Sequence, residues 1–160
     1  MQVSLRSIEP ADQPFLRALY ESTRVEELAG VGWDEEHKAA FIDQQFFAQT
    51  AHYAEHYEGM SSDIVLVDGT RAGRLLVARW NREIRIVDIS LLPDFRGRGV
   101  GTGLLRELQE EASGGGRPLS IHVEKFNPAM RLYERLGFKP AEDKGVYLLM
   151  EWSGPATGVR

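Results

Sequence analysis

The chain has 160 residues, a formal net charge of −5 and no cysteine. The missing cysteine excludes disulfides, thiolate metal sites and a cysteine nucleophile, and an acidic balance with no basic block argues against nucleic acid as a partner. No apolar run approaches the ~18 residues of a membrane span and no signal peptide is visible, so the sequence reads as one soluble, cytoplasmic domain over residues 1–152 with a flexible tail over 153–160.

Val3 to Ile8 reads as a short strand. Glu9-Pro10-Ala11-Asp12 is a turn with a helix cap, and Phe15, Leu16, Leu19 and Tyr20 give the following helix an apolar face. Gly30-Val31-Gly32 is a loop. A second helix is expected from Asp34 to about Tyr57, with Ala40, Phe41, Phe46 and Phe47 among its apolar positions. Three antiparallel strands follow: Ile64 to Val67, Ala72 to Arg79, and one beginning at Ile84, with turns at Asp68-Gly69 and Trp80 to Glu83. Leu104, Leu105, Leu108 and Ala112 mark an amphipathic helix that ends at Gly114-Gly115-Gly116. Leu119 to Glu124 is a strand, Pro128 to Leu136 a helix stopped by Gly137, and Val146 to Trp152 the last strand. This order implies an α+β fold in three layers (α/β/α): a mixed, mainly antiparallel central sheet flanked by helices.

The junction after the third of those strands carries the chemistry. Pro93 ends the strand because it has no N–H for a ladder. Arg96, Gly97, Arg98, Gly99, Val100, Gly101 and Thr102 then lead straight into a helix. A strand, a glycine-rich turn and a helix N-terminus gather free backbone N–H groups at one spot, which makes an anion site. The glycines bring the main chain close to the anion, the arginines add charge, and a pyrophosphate suits the site. A dinucleotide fingerprint fails because its third glycine would fall at Thr102, and no Gly-Lys-Ser/Thr of a P-loop is present. The pattern Arg/Gln-x-x-Gly-x-Gly/Ala does fit, as Arg96, Gly99 and Gly101.

In this pattern the chain resembles the GCN5-related N-acetyltransferase (GNAT) superfamily. A second block, Ser120 to Phe138, looks like that family's other signature: a strand, an Asn, an Ala, then Tyr-x-x-x-Gly-Phe, filled here by Asn127, Ala129, Tyr133, Gly137 and Phe138. The commoner family spacing has one more residue between Asn and Tyr; here the shorter Asn-Pro-Ala form keeps Ala129 and Tyr133 one helical turn apart.

The resemblance implies acetyl-coenzyme A as co-substrate, no metal, and direct transfer of an acetyl group to a primary amine in a ternary complex. It assigns coenzyme A to Leu91, Leu92, Pro93, Arg96, Gly97, Arg98, Gly99, Val100, Gly101, Thr102, Asn127 and Tyr133. The Tyr133 hydroxyl is expected to protonate the leaving thiolate. A primary amine is only about 0.1% neutral at pH 7, a deficit of roughly 4 kcal/mol, so a base is needed. Asp88, a lone carboxylate in an apolar strand, is the candidate, with Glu83, Glu124 and ordered water left open. The acceptor pocket is expected around Trp33, Gln49, His52 and Tyr53, with Gln45 and Tyr57 nearby. Glu26, Glu27, Asp34, Glu35 and Glu36 make that region attractive to a cationic amine, either a small molecule or a protein amine. Many members of the family pair through their late strands, so a homodimer is an expectation of the same kind.

Two other readings compete. An acetyltransferase-like fold can bind acyl-coenzyme A as a sensor without turnover. His52-Tyr53-Ala54-Glu55-His56 also matches the His-x-x-Glu-His pattern of inverted zinc peptidases, although such enzymes need a further carboxylate ligand. His122 on its strand reads as an interior histidine.

Overall fold

The computed structural model describes residues 1–154. The tail expected from residue 153 therefore lies outside the described residues except for Ser153 and Gly154. Seven strands form one mixed sheet, flanked by helices, in the order β1-β2-β3-β4-β5-β7-β6. The strands are β1 (Val3–Ser7), β2 (Ser61–Val67), β3 (Thr70–Arg79), β4 (Ile84–Leu91), β5 (Leu119–Glu124), β6 (Lys139–Asp143) and β7 (Tyr147–Trp152). The helices are α1 (Gln13–Ser22), α2 (Val25–Ala29), α3 (Glu35–His56), α4 (Val100–Gly114) and α5 (Met130–Arg135). No described helix is long and apolar enough to cross a membrane.

Two compact units divide the chain. The first comprises Met1–Leu75 with Ile89–Arg96, and the second Leu76–Asp88 with the residues from Gly97 onward. In the first unit, β1 and β2 pair antiparallel from Val3↔Val67 to Ser7↔Asp63. The β2–β3 turn is tight because Asp68 and Gly69 both take positive φ, 50° and 80°. The turn beginning at Glu9 contains a short 3-10 helix, Pro10–Asp12. Asp12 is buried there and accepts hydrogen bonds from Arg6, Arg71 and the Glu9 N–H. The α1 helix buries Leu16, Leu19 and Tyr20. Asp34 caps α3 by accepting from the His37 N–H at 2.8 Å. Tyr20, Leu28 and Ile42 form a small core, with Phe41 and Phe46 packed against it. Two of the expected apolar positions of α3 lie elsewhere: Ala40 and Phe47 are exposed.

In the second unit α4 turns Val100, Leu104, Leu105, Leu108 and Ala112 inward, the burial that its apolar spacing implies. β5 pairs with β7 over its full length, Leu119↔Trp152 to Glu124↔Tyr147. Its parallel pairing with β4 covers only Ile84↔Leu119, Arg85↔Ser120 and Ile86↔Ile121. Val87 and Asp88 thus continue β4 beyond the last residue paired with β5. The helix expected over residues 128–136 is shorter, because Asn127-Pro128-Ala129 is spent on a turn: the Asn127 side chain accepts from the Ala129 N–H at 2.8 Å. Gly137, at φ 95°, ends that helix in the left-handed conformation.

Candidate functional site

The glycine-rich turn enters α4 as its spacing requires. Gly97 and Gly99 take φ of 72° and 84°, a region that L-residues seldom adopt. Gly99 is the N-cap, and the helical ladder starts with the Gly103 N–H donating to the Gly99 carbonyl at 3.0 Å. The N–H groups of Val100, Gly101 and Thr102 thus have no acceptor within the helix, and they point out of its N-terminus where the dipole favours negative charge.

Gly101 and Gly103 add a second observation. Each costs the first turn up to about 1 kcal/mol relative to alanine. Neither has a positive φ, and a Cβ on either would meet no protein atom within 4 Å. Nothing inside the protein requires glycine there. The open space in front of these two residues suits a diphosphate approaching the main chain.

Tyr133 lies in the same unit, on α5. It is 5% exposed and its ring stands edge-on to Phe138 at 5.7 Å. A buried tyrosine ordinarily pairs its hydroxyl, yet among the described residues this hydroxyl makes no hydrogen bond. No fully enclosed side-chain polar atom of the described residues lacks a partner, so the Tyr133 oxygen must reach the molecular surface. Burial, and after it the negative charge of Asp88, pushes the Tyr133 phenol up to about 12. Asp88 therefore acts electrostatically on Tyr133 from the β4 segment that has passed its pairing with β5.

Of the other candidates, Glu83 already has partners. Glu83 accepts from Ser120 Oγ at 2.5 Å and from Arg85 Nη2 at 3.2 Å, and Arg85 Nε donates to Ser120 Oγ at 2.7 Å. Its carboxylate is tied into an ion pair. His122 is exposed rather than interior, with Nδ1 3.4 Å from Arg85 Nη1. Glu124 is exposed at the end of β5.

In the first unit, Arg96 Nε donates to the Leu91 carbonyl at 2.9 Å, and the Leu92 N–H donates to the Ala72 carbonyl at 2.8 Å. Arg96 thus fastens the end of β4 as well as carrying charge. The residues expected to hold the acceptor are not all together. Gln49 accepts from Arg74 Nη2 at 2.7 Å, and the Arg74 guanidinium lies 5.8 Å from the centre of the Tyr53 ring. Arg74 is 7% exposed; its only sequence signal was an arginine set among the small and apolar residues of positions 72–78. Trp33 sits at the other end of α3, edge-on to Phe41 at 5.4 Å. From there to Gln49 is on the order of 20 Å along the helix. His52 is exposed and stacks on His56 at 4.1 Å. Among the described residues, no three His, Cys, Asp or Glu side chains come together as metal ligands.

Comparison with known proteins gives a consistent result. The sequence profile of the acetyltransferase (GNAT) family matches residues 15–138. The chain is 37% identical over 75 residues to streptothricin acetyltransferase of Streptomyces lavendulae, covering 44% of this chain and 40% of that protein. It is 33% identical over 98 residues to N-alpha-acetyltransferase RimI of Mycobacterium tuberculosis, covering 59% and 58%. The chain thus spans about half the length, or somewhat less, of these curated relatives. A crystal structure of PaiA N-acetyltransferase from Thermoplasma acidophilum, in complex with coenzyme A, superposes with a TM-score of 0.70 at 18% identity, covering 96% of this chain and 99% of that one. The Escherichia coli ribosomal-protein-S18-alanine N-acetyltransferase gives 0.60 at 22% identity, covering 97% and 96%. At such identities the structures speak for the fold, and the matched profile speaks for the family. With its profile matched from residue 15 to residue 138, the chain belongs to the acetyltransferase (GNAT) family.

Proposed function

We propose that the protein is an N-acetyltransferase that moves an acetyl group from acetyl-coenzyme A directly to a primary amine while both are bound. The observation that carries this reading is the α4 N-terminus: two left-handed glycines followed by two helical glycines that face open space. The main-chain N–H groups of Val100, Gly101 and Thr102 would hold the diphosphate, with Arg96 and Arg98 supplying positive charge. Leu91, Leu92 and Pro93 would present main-chain groups to the pantetheine arm, and Asn127 would help to hold the arm near Tyr133. The co-substrate supplies an activated thioester.

Tyr133 would donate from its hydroxyl to the departing sulfur. A phenol near 12 is a weak acid beside an ordinary thiol at about 8.5. The desolvation that raises the phenol acts equally on a thiolate placed beside it, which narrows the difference. Asp88 would have two tasks: keeping Tyr133 protonated, and accepting the amine proton directly or through water. Gln49 and Tyr53, held by Arg74, would form part of the acceptor wall. The relatives' names include a small-molecule acceptor and an α-amine, so the acceptor is read as an amine of either class.

The test is steady-state thiol release from acetyl-coenzyme A against a panel of polyamines, aminoglycosides, amino acids and peptides with free N-termini. Release that depends on an added amine supports the reading. Binding with no release under any amine would favour a sensor.

A further inference from the structure

The pairing of β4 with β5 ends at Ile86↔Ile121, so His122 is the first residue of β5 past the last pair. Continuing the register sets it opposite Val87, where the two strands begin to fork. Alternation along the strands gives this fork two unlike faces. Ile84, Ile86, Leu119, Ile121 and Val123 are buried on one of them. Arg85, Ser120, His122 and Glu124 occupy the other, which the β7 partners Leu149 and Tyr147 extend. His122, Glu124 and Tyr147 are exposed there. An acceptor can therefore reach the fork from this second face, and His122 flanks the opening.

The imidazole is held in one tautomer. Arg85 Nη1 lies 3.4 Å from His122 Nδ1. A guanidinium can only donate, so Nδ1 is the acceptor and the proton of the neutral ring belongs on Nε2. Arg85 is itself fixed: its Nε donates to Ser120 Oγ at 2.7 Å, its Nη2 to Glu83 at 3.2 Å, and its guanidinium stands 5.3 Å from the centre of the Trp80 ring. The charges that act on His122 form two ion pairs, Arg85 with Glu83 and Lys144 with Glu142, each at 3.2 Å. Glu124 and Glu151 stand at either end of the same face. Partial desolvation, and after it Arg85 and Lys144, lower the imidazole below its ordinary value, so the ring is neutral at pH 7. Among the described residues its Nε2 makes no hydrogen bond.

We propose that His122 donates from Nε2–H to an oxygen beside the acceptor's amine, and so favours amines with a neighbouring carbonyl, such as amino-acid amides and peptide N-termini, over polyamines. This rests on the acetyl transfer proposed above. An N–H donor gains nothing from a second ammonium group. A carbonyl on the amine-bearing carbon is the nearest oxygen that an acceptor can offer it. A site that bonds a substrate oxygen discriminates against the analogue lacking it, because its donor is then left unpaired. Proton removal stays with Asp88: Arg85 already faces the Nδ1 lone pair, and a proton there would set an imidazolium against the guanidinium.

Two measurements test this. At pH 7.5, nitrogen-15 NMR should show the His122 ring, assigned by the signals missing from His122→Gln, with its proton on Nε2; a proton on Nδ1 would overturn the inference without any turnover. Thiol release is then compared for alaninamide and 1,2-diaminopropane, the same skeleton with and without the carbonyl. Wild type should favour alaninamide at least about tenfold in kcat/KM. His122→Ala should lower kcat/KM for alaninamide at least about tenfold and for the diamine less than about threefold. His122→Gln, whose Nε2 donates from a similar place, should keep most of the wild-type rate on alaninamide. Equal loss on both acceptors, or a His122→Gln protein as slow as His122→Ala, would overturn the inference and point to a base. Release with other amines but not with alaninamide would overturn it while leaving acetyl transfer standing; release with no amine at all would remove both.

Discussion

A Cβ on Gly73 would fall inside the van der Waals shell of the Ser90 carbonyl oxygen and would also crowd Leu91. The β3 main chain therefore packs directly on the end of β4, where the Leu92 N–H donates to the Ala72 carbonyl. Position 73 fixes the course of the main chain at Leu91, Leu92 and Pro93. Gly73→Ala should cost about 1–3 kcal/mol as an overpacked contact with backbone. It should also weaken acetyl-coenzyme A binding, because those main-chain groups must move. Urea denaturation and calorimetry read the two effects; an unchanged midpoint would mean that the approach is looser than described.

Two glycines of the α4 turn are there for different reasons, and alanine separates them. Gly99→Ala puts a side chain at φ 84° and should destabilise the fold by about 1–2 kcal/mol. Gly101→Ala should leave stability unchanged or raise it by up to about 1 kcal/mol, since the added Cβ meets no protein atom. It should nevertheless lower coenzyme A affinity at least tenfold. Full affinity in a folded Gly101→Ala protein would remove the diphosphate from this turn.

Tyr133→Phe should lower kcat by at least a hundredfold while changing the KM for acetyl-coenzyme A less than threefold, because the role proposed for the hydroxyl is to protonate the sulfur as it leaves. An unchanged kcat would exclude a proton from Tyr133. With the phenol at about 12, no alkaline fall in rate should come from this residue below pH 10.

The same phenol affects stability at high pH. Its folded value lies above its unfolded value of about 10, so the contribution is complete below pH 10 and is lost as pH rises from 10 toward 12. The loss should reach about 3 kcal/mol, two pH units' worth for one group. Urea midpoints measured across that range should fall more steeply in wild type than in Tyr133→Phe, and parallel slopes would contradict the burial.

Asp12 works in the opposite direction. Arg6, the Glu9 N–H and Arg71 hold its carboxyl well below the usual carboxylate range. Its stabilisation is present above the ordinary value near 4 and is lost as pH falls below it. Asp12→Asn should be less stable than wild type at pH 7, with the difference shrinking toward pH 2. A constant difference would assign Asp12 a packing role alone.

The sequence made the α4 turn legible because glycine there is a backbone requirement: strand, Pro93, glycines and an apolar helix occupy adjacent positions. Tyr133 was singled out by the resemblance of residues 120–138 to the family's second signature, and Gly137 marked the end of its helix. Long-range placement was less readable. Nothing local announces that Gly73 lies against Ser90, that Arg74 is buried between Gln49 and Tyr53, or that β7 inserts between β5 and β6. Grouping Trp33 with Gln49 followed from their common helix region, which does not reveal how far apart along its axis two positions lie. Phe47 looked like core because a phenylalanine beside Phe46 ordinarily is; only the helical phase shows which of the two faces inward.

The most direct measurement is a crystal structure of the protein grown with coenzyme A. The diphosphate should accept from the N–H groups of Val100, Gly101 and Thr102, with the sulfur within hydrogen-bond reach of the Tyr133 hydroxyl. A nucleotide bound away from the α4 N-terminus, or a sulfur remote from Tyr133, would contradict the proposed catalysis.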